Sequence, residues 1–133
     1  MNENNPMPER ALMIEILAAP DVILKLKNPT EKMQMAAVQK KPELLGQLAA
    51  PTEKVQFSAI LSSAESVLLL EEPTRTACFL AVERMLGVSL LPSEDVFAAC
   101  RELVRRMRED KAEGRPHEDA VNAFLKEVKP LKA

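Results

Sequence analysis

Tryptophan and tyrosine are absent from this 133-residue chain, and only four phenylalanines stand in for them. Glycine is scarce as well, with three residues against ten prolines. A β-sandwich or barrel needs turn glycines and β-forming side chains, so both scarcities argue against one. The glycines at 46, 87 and 114 lie too far apart to build a phosphate-cradling loop. One histidine and two cysteines leave almost nothing for a protein-built zinc site, so no metal and no cofactor is expected. No apolar run approaches the ~18 residues of a membrane span. Met1 to Pro8 is polar, without the apolar stretch of a targeting peptide. The expectation is a cytoplasmic protein of a reducing compartment.

Charge excludes little more. Eighteen basic against twenty acidic side chains give a net charge of −2. Neither nucleic acid nor an anionic membrane is demanded as a partner. With 47% hydrophobic residues, the chain is suited to a folded domain rather than to disorder. At this length folding buries roughly two-thirds of the accessible surface. Ala, Leu, Val and Met must fill that core, which points to packed helices.

The prolines carry the organisation. Pro8, Pro29, Pro51 and Pro73 are spaced by 21, 22 and 22 residues, and Pro92 follows after 19. A fixed period in this range signals a repeat architecture. Asn28-Pro29-Thr30-Glu31-Lys32-Met33-Gln34 matches Ala50-Pro51-Thr52-Glu53-Lys54-Val55-Gln56. Four residues after each proline come Leu12, Met33, Val55, Ala77 and Val96; eight and nine after come Ile16-Leu17, Ala37-Val38, Ala59-Ile60 and Ala81-Val82. Such steps place one buried face on a short helix. The spacing predicts proline in the first helical turn, with Asn28 as N-cap and Glu31 completing a capping box.

Each unit has a second half. Pro20-Asp21, Pro42-Glu43 and Ala64-Glu65 open apolar stretches that read as helices of about two turns. Neither helix of a unit is long enough to stand alone, so each pair must stack on the next. The fourth unit departs, with one longer helix from Thr74 to Leu86 closed near Gly87. A long amphipathic helix follows from Ser93 to Glu113, striped by Val96, Phe97, Cys100, Leu103, Val104 and Met107. Gly114 is a natural stop. A last helix, from Pro116 to Val128, is expected to bury Val121, Phe124, Leu125 and Val128. The expected architecture is all-α: a right-handed αα-solenoid of about four ~22-residue helical-hairpin units over residues 8–91, capped by a helical pair over 92–128. A flexible segment over 1–7 and a tail over 129–133 flank it.

The units Asn28 to Val38 and Ala50 to Ile60 resemble the short tandem "NPTEEVQLAAV" helical repeats of uncharacterised bacterial and phage proteins. The architecture is similar to HEAT-like repeats with shorter helices. The resemblance spans roughly residues 8–91 and implies an αα-repeat fold. It implies no activity, substrate or catalytic residue, and residues 92–133 do not share its pattern.

The functional candidates are few. Gln34 and Gln56 recur at one position, either as amides offered to a partner or as bonds between units. Thr30, Thr52 and Thr74 read as turn and capping residues. Arg101, Arg105, Arg106 and Arg108 form the densest basic cluster, with 101, 105 and 108 on one helix face. Contact with an acidic partner or with phosphate competes with local pairing, Glu102 with Arg106 and Arg105 with Glu109. No aromatic residue interleaves with these arginines for base stacking. His117 has no second histidine or nucleophile at helical spacing, so catalysis is not expected. Cys78 and Cys100 read as inert core residues. The reading is a non-enzymatic protein-interaction module, an adaptor or inhibitor. Its partner-binding candidates are Arg101, Arg105, Arg106, Arg108, Gln34 and Gln56. The alternative is a nucleic-acid-binding helical repeat that uses the arginine cluster on phosphates. Neither reading fixes an oligomeric state.

Overall fold

A computed structural model describes residues 8–129. The segment before residue 8, and the tail from residue 130, lie outside the described residues. Among the described residues the chain is all-helical, with six α-helices and three 3-10 helices and no strand. The α-helices are α1 (Glu9–Ala18), α2 (Glu31–Lys40), α3 (Glu53–Ser62), α4 (Arg75–Leu86), α5 (Glu94–Ala112) and α6 (Glu118–Glu127). The 3-10 helices Pro20–Lys25, Pro42–Gln47 and Ala64–Leu69 follow α1, α2 and α3.

Threonine, not asparagine or proline, starts the repeated helices. Thr30 Oγ1 accepts from Met33 N at 3.1 Å, Thr52 Oγ1 from Val55 N at 3.4 Å, and Thr74 Oγ1 from Ala77 N at 3.1 Å. Each hydroxyl satisfies one of the donors left unpaired at a helix start. Pro29, Pro51 and Pro73 therefore stand one residue outside the N-cap, and Asn28 stands two outside. The expected capping box fails for the same reason, because Glu31 is the first helical residue instead of the third. Pro20 and Pro42 do occupy first-turn positions, in their 3-10 helices.

The threonine caps correct the register of the first unit. Pro8 takes the N-cap position of α1, so it matches Thr30 and not Pro29. Helix starts at Glu9, Glu31, Glu53 and Arg75 are then each 22 residues apart. In this register Ile16, Val38, Ile60 and Val82 are equivalent, and all four are 0% exposed. Ala37, Ala59 and Ala81 are equivalent and also 0% exposed. Their counterpart in α1 is Glu15, which is exposed.

The second halves keep the same period. Ile23, Leu45 and Val67 are their equivalent buried anchors. At Gly46 an added Cβ would stand 3.1 Å from Leu69 Cβ, so glycine permits a close approach of the second and third 3-10 helices. Gly87, at φ 65°, caps α4 in the left-handed conformation that glycine tolerates best.

Extensive contacts between α-helices join neighbours in chain order: α1 to α2, and so on to α6. Polar bonds recur along one edge. Thr52 donates its hydroxyl to the Glu31 carboxylate, and Thr76 donates to Glu53. The hydroxyls of Thr76 and Thr74 hold the Glu53 carboxyl below the ordinary range. At the helix C-termini Ser62 Oγ donates to Gln39 O at 2.8 Å, and Arg84 donates to Leu61 O at 3.4 Å. These two bonds join positions that are equivalent one unit apart.

The C-terminal pair packs differently. Ser93 caps α5 by accepting from Val96 N at 3.1 Å. Ala99, Cys100, Leu103, Val104 and Met107 bury one stripe of α5. Val96 and Phe97, expected in that stripe, are half-buried. Phe97 meets Phe79 edge-on, with centroids 5.3 Å apart, and carries the Arg75 guanidinium over its ring. Ala120, Phe124 and Val128 are buried against this assembly, whereas Val121 and Leu125, expected to be buried, are half-buried.

Candidate functional site

The buried stripe of α5 decides which of its side chains stay outside. With Val104 and Leu103 turned inward, Arg101, Arg105 and Arg108 emerge along one flank. The segment Leu70 to Pro73, which links the third 3-10 helix to α4, runs opposite that flank. Together they enclose a groove of about 410 Å³. Cys78, Val104 and Leu70 form its apolar floor, all of them buried. Arg101, Arg105 and Arg108 stand on one wall together with Glu102, and Glu71 and Glu72 on the other.

The walls differ in how their charges are satisfied. Arg105 is gripped on its own helix. It reaches Glu102 through Nε at 2.9 Å and Nη2 at 2.6 Å, and Glu109 through Nη1 at 2.8 Å. This pair of carboxylates raises the affinity of Arg105 for its proton, and the bidentate contact lowers that of Glu102. The expected Arg105–Glu109 pair is therefore present. Glu102, expected to pair with Arg106, pairs with Arg105 instead, because the i, i+3 geometry offers it a two-pronged donor. Among the described residues Arg101 and Arg108 form no ion pair, and neither do Glu71 and Glu72.

The four arginines do not form one patch. Arg106 is half-buried and turns toward α6, where it lines a separate concavity with Glu109, Asp110, Arg115, Pro116 and Asp119. The two glutamines separate as well. Gln56 is buried; its Nε2 donates to Pro51 O at 3.1 Å and its Oε1 accepts from Thr74 N at 3.1 Å. Both ends of its amide are used inside the protein, which withdraws Gln56 from any docking face. Gln34 is half-buried and donates to Pro29 O at 3.2 Å. The sequence alone does not point to Glu71 and Glu72, because their approach to α5 is a long-range contact with no periodic trace.

The remaining candidates have quieter surroundings. Cys78 and Cys100 are both buried and free. Burial pushes the Cys78 thiol up to about 11 and the Cys100 thiol up to about 12. Arg101 pulls Cys78 slightly the other way. His117 precedes α6, with Nδ1 3.6 Å from Asp110 Oδ2 and no hydrogen-bond partner. Among the described residues no group of three metal-ligating side chains is placed to hold an ion. No helix described is long and apolar enough to cross a membrane. No family model, no curated protein and no solved structure matches the chain.

Proposed function

We propose that this chain is a non-enzymatic protein-interaction module, a small αα-solenoid of about four ~22-residue units that docks a partner protein at the groove beside α5. The solenoid reading is supported by the 22-residue recurrence of helix starts and by contacts that follow chain order. It keeps the kinship with short HEAT-like repeats that the Asn28 and Ala50 units suggest. The docking reading is carried by one observation: Arg101 and Arg108 stand exposed or half-exposed on a concave wall without ion-pair partners among the described residues. Rigid concave surfaces of this kind suit protein recognition. The chemistry of the groove fits binding better than catalysis, since its one thiol stays protonated at neutral pH.

Affinity capture from the native host tests the proposal when wild type is compared with Arg101→Glu/Arg108→Glu. A partner retained by wild type and lost by the double variant supports it. Equal retention by both would remove the arginine wall from recognition. The nucleic-acid alternative is weaker, because carboxylates line the same groove and no aromatic ring is present to stack on bases. Oligonucleotide binding that responds to salt and is lost in Arg105→Glu would restore it.

A further inference from the structure

Building on the docking reading, we infer that the groove takes an extended segment of a partner protein in which acidic and basic residues alternate. Among the described residues, two rows of charge without ion-pair partners face each other across it. Arg101 and Arg108 stand on α5, and Glu71 and Glu72 on the opposing segment, and no ion pair spans the gap. Arg105 does not disturb this pattern, because Glu102 and Glu109 hold its charge on its own helix.

Shape narrows the occupant. The face is concave, so it does not seat against the same face of a second copy; it takes something narrow and convex. Seven residues of helix separate Arg101 from Arg108, an axial rise of about 10.5 Å. Same-side residues of an extended chain recur about every 6.6 Å, and the long, flexible side chains of Arg101 and Arg108 reach two of them across that rise. In an extended chain successive side chains point to opposite sides. A segment lying along the groove therefore sends one row toward α5 and the other toward Glu71 and Glu72. Acids in the first row and bases in the second complete both walls. An all-acidic segment meets Glu71 and Glu72 with like charge, so those residues act as a filter against it.

The test uses fluorescein-labelled hexapeptides: alternating Glu and Lys, all Glu, and all Lys. Anisotropy titrations are run on the whole chain at low salt, and circular dichroism checks that each variant is folded. The alternating peptide is expected to bind wild type at least tenfold tighter than either homopolymer. Glu71→Lys/Glu72→Lys is expected to reverse this order in favour of the all-Glu peptide. Equal binding of the alternating and all-Glu peptides, or an order unchanged by the Glu71 and Glu72 substitutions, overturns the inference. So does the absence of saturable binding by any peptide, or tighter binding of a single-stranded oligonucleotide. A dimer that dissociates in Arg101→Glu would assign the groove to a second copy and overturn it too. These failures are distinct from failure of the docking reading itself. Alternating-peptide binding unchanged in Arg101→Glu/Arg108→Glu overturns the inference as well, whereas the docking reading falls only if that variant retains the native partner as fully as wild type does.

Discussion

The side chain of Gln56 ties the N-terminus of its own helix to that of the next. Its amide nitrogen holds Pro51 O at 3.1 Å, and its oxygen accepts from the backbone N–H of Thr74, also at 3.1 Å. Gln34 at the equivalent position makes the first bond only. Gln56→Ala leaves a part-buried donor and an acceptor without partners and is expected to cost about 2 kcal/mol or more. Gln34→Ala is expected to cost about 0.5–1 kcal/mol. Urea unfolding of the two variants measures the difference.

The corrected register of α1 has its own test. Glu15 occupies the position where Ala37, Ala59 and Ala81 are fully buried. It is exposed because no earlier unit covers it among the described residues. Glu15→Ala is expected to shift stability by no more than about 0.5 kcal/mol. Ala59→Glu puts an unpaired carboxylate into the packed interior and is expected to cost about 3 kcal/mol or more. Equal costs in thermal or urea unfolding would contradict the exposure of Glu15 or the burial of Ala59.

Glu53 carries a pH-dependent contribution. Hydrogen bonds from Thr76 and Thr74 hold its folded-state pKa below the ordinary value of 4.5. A depressed carboxylate stabilises the fold above the unfolded pKa, and that stability is lost as pH falls through the folded one. Thr76→Val is expected to move the Glu53 titration upward, toward its ordinary range. Carboxyl chemical shifts followed between pH 2 and pH 7 report it directly.

The cysteines should be slow to react. At pH 8 a thiol titrating at about 11 holds roughly one-hundredth of the thiolate of one titrating at 9.0. Alkylation of native Cys78 is therefore expected to run at least about a hundredfold slower than in the urea-unfolded chain. Cys100, at about 12, should be slower still. Native labelling as fast as unfolded labelling would contradict the packing around α4 and α5.

These relationships also mark where the sequence is readable. The Pro-Thr-Glu recurrence exposes the period because each of its residues has a local task at a helix start. It misleads at Pro8, where a proline sits in the cap position of the threonines and shifts the apparent alignment by one. The second halves read as helices, but six residues are too few to separate a period of 3.0 from one of 3.6. The shared face of Arg101, Arg105 and Arg108 follows from helical spacing alone. Their opposing wall does not, since Glu71 and Glu72 reach α5 only through the packing of α4 and the third 3-10 helix against it.

Site-specific photo-crosslinking in the chain's own cells addresses docking at the groove with a single readout. A photoreactive side chain replaces Ala98, which lines the groove, and in a control replaces Lys32, exposed on α2. A defined protein adduct formed from position 98 and not from position 32 is expected. Adducts of equal yield from both positions, or none from position 98, would place recognition elsewhere on the chain or nowhere on it.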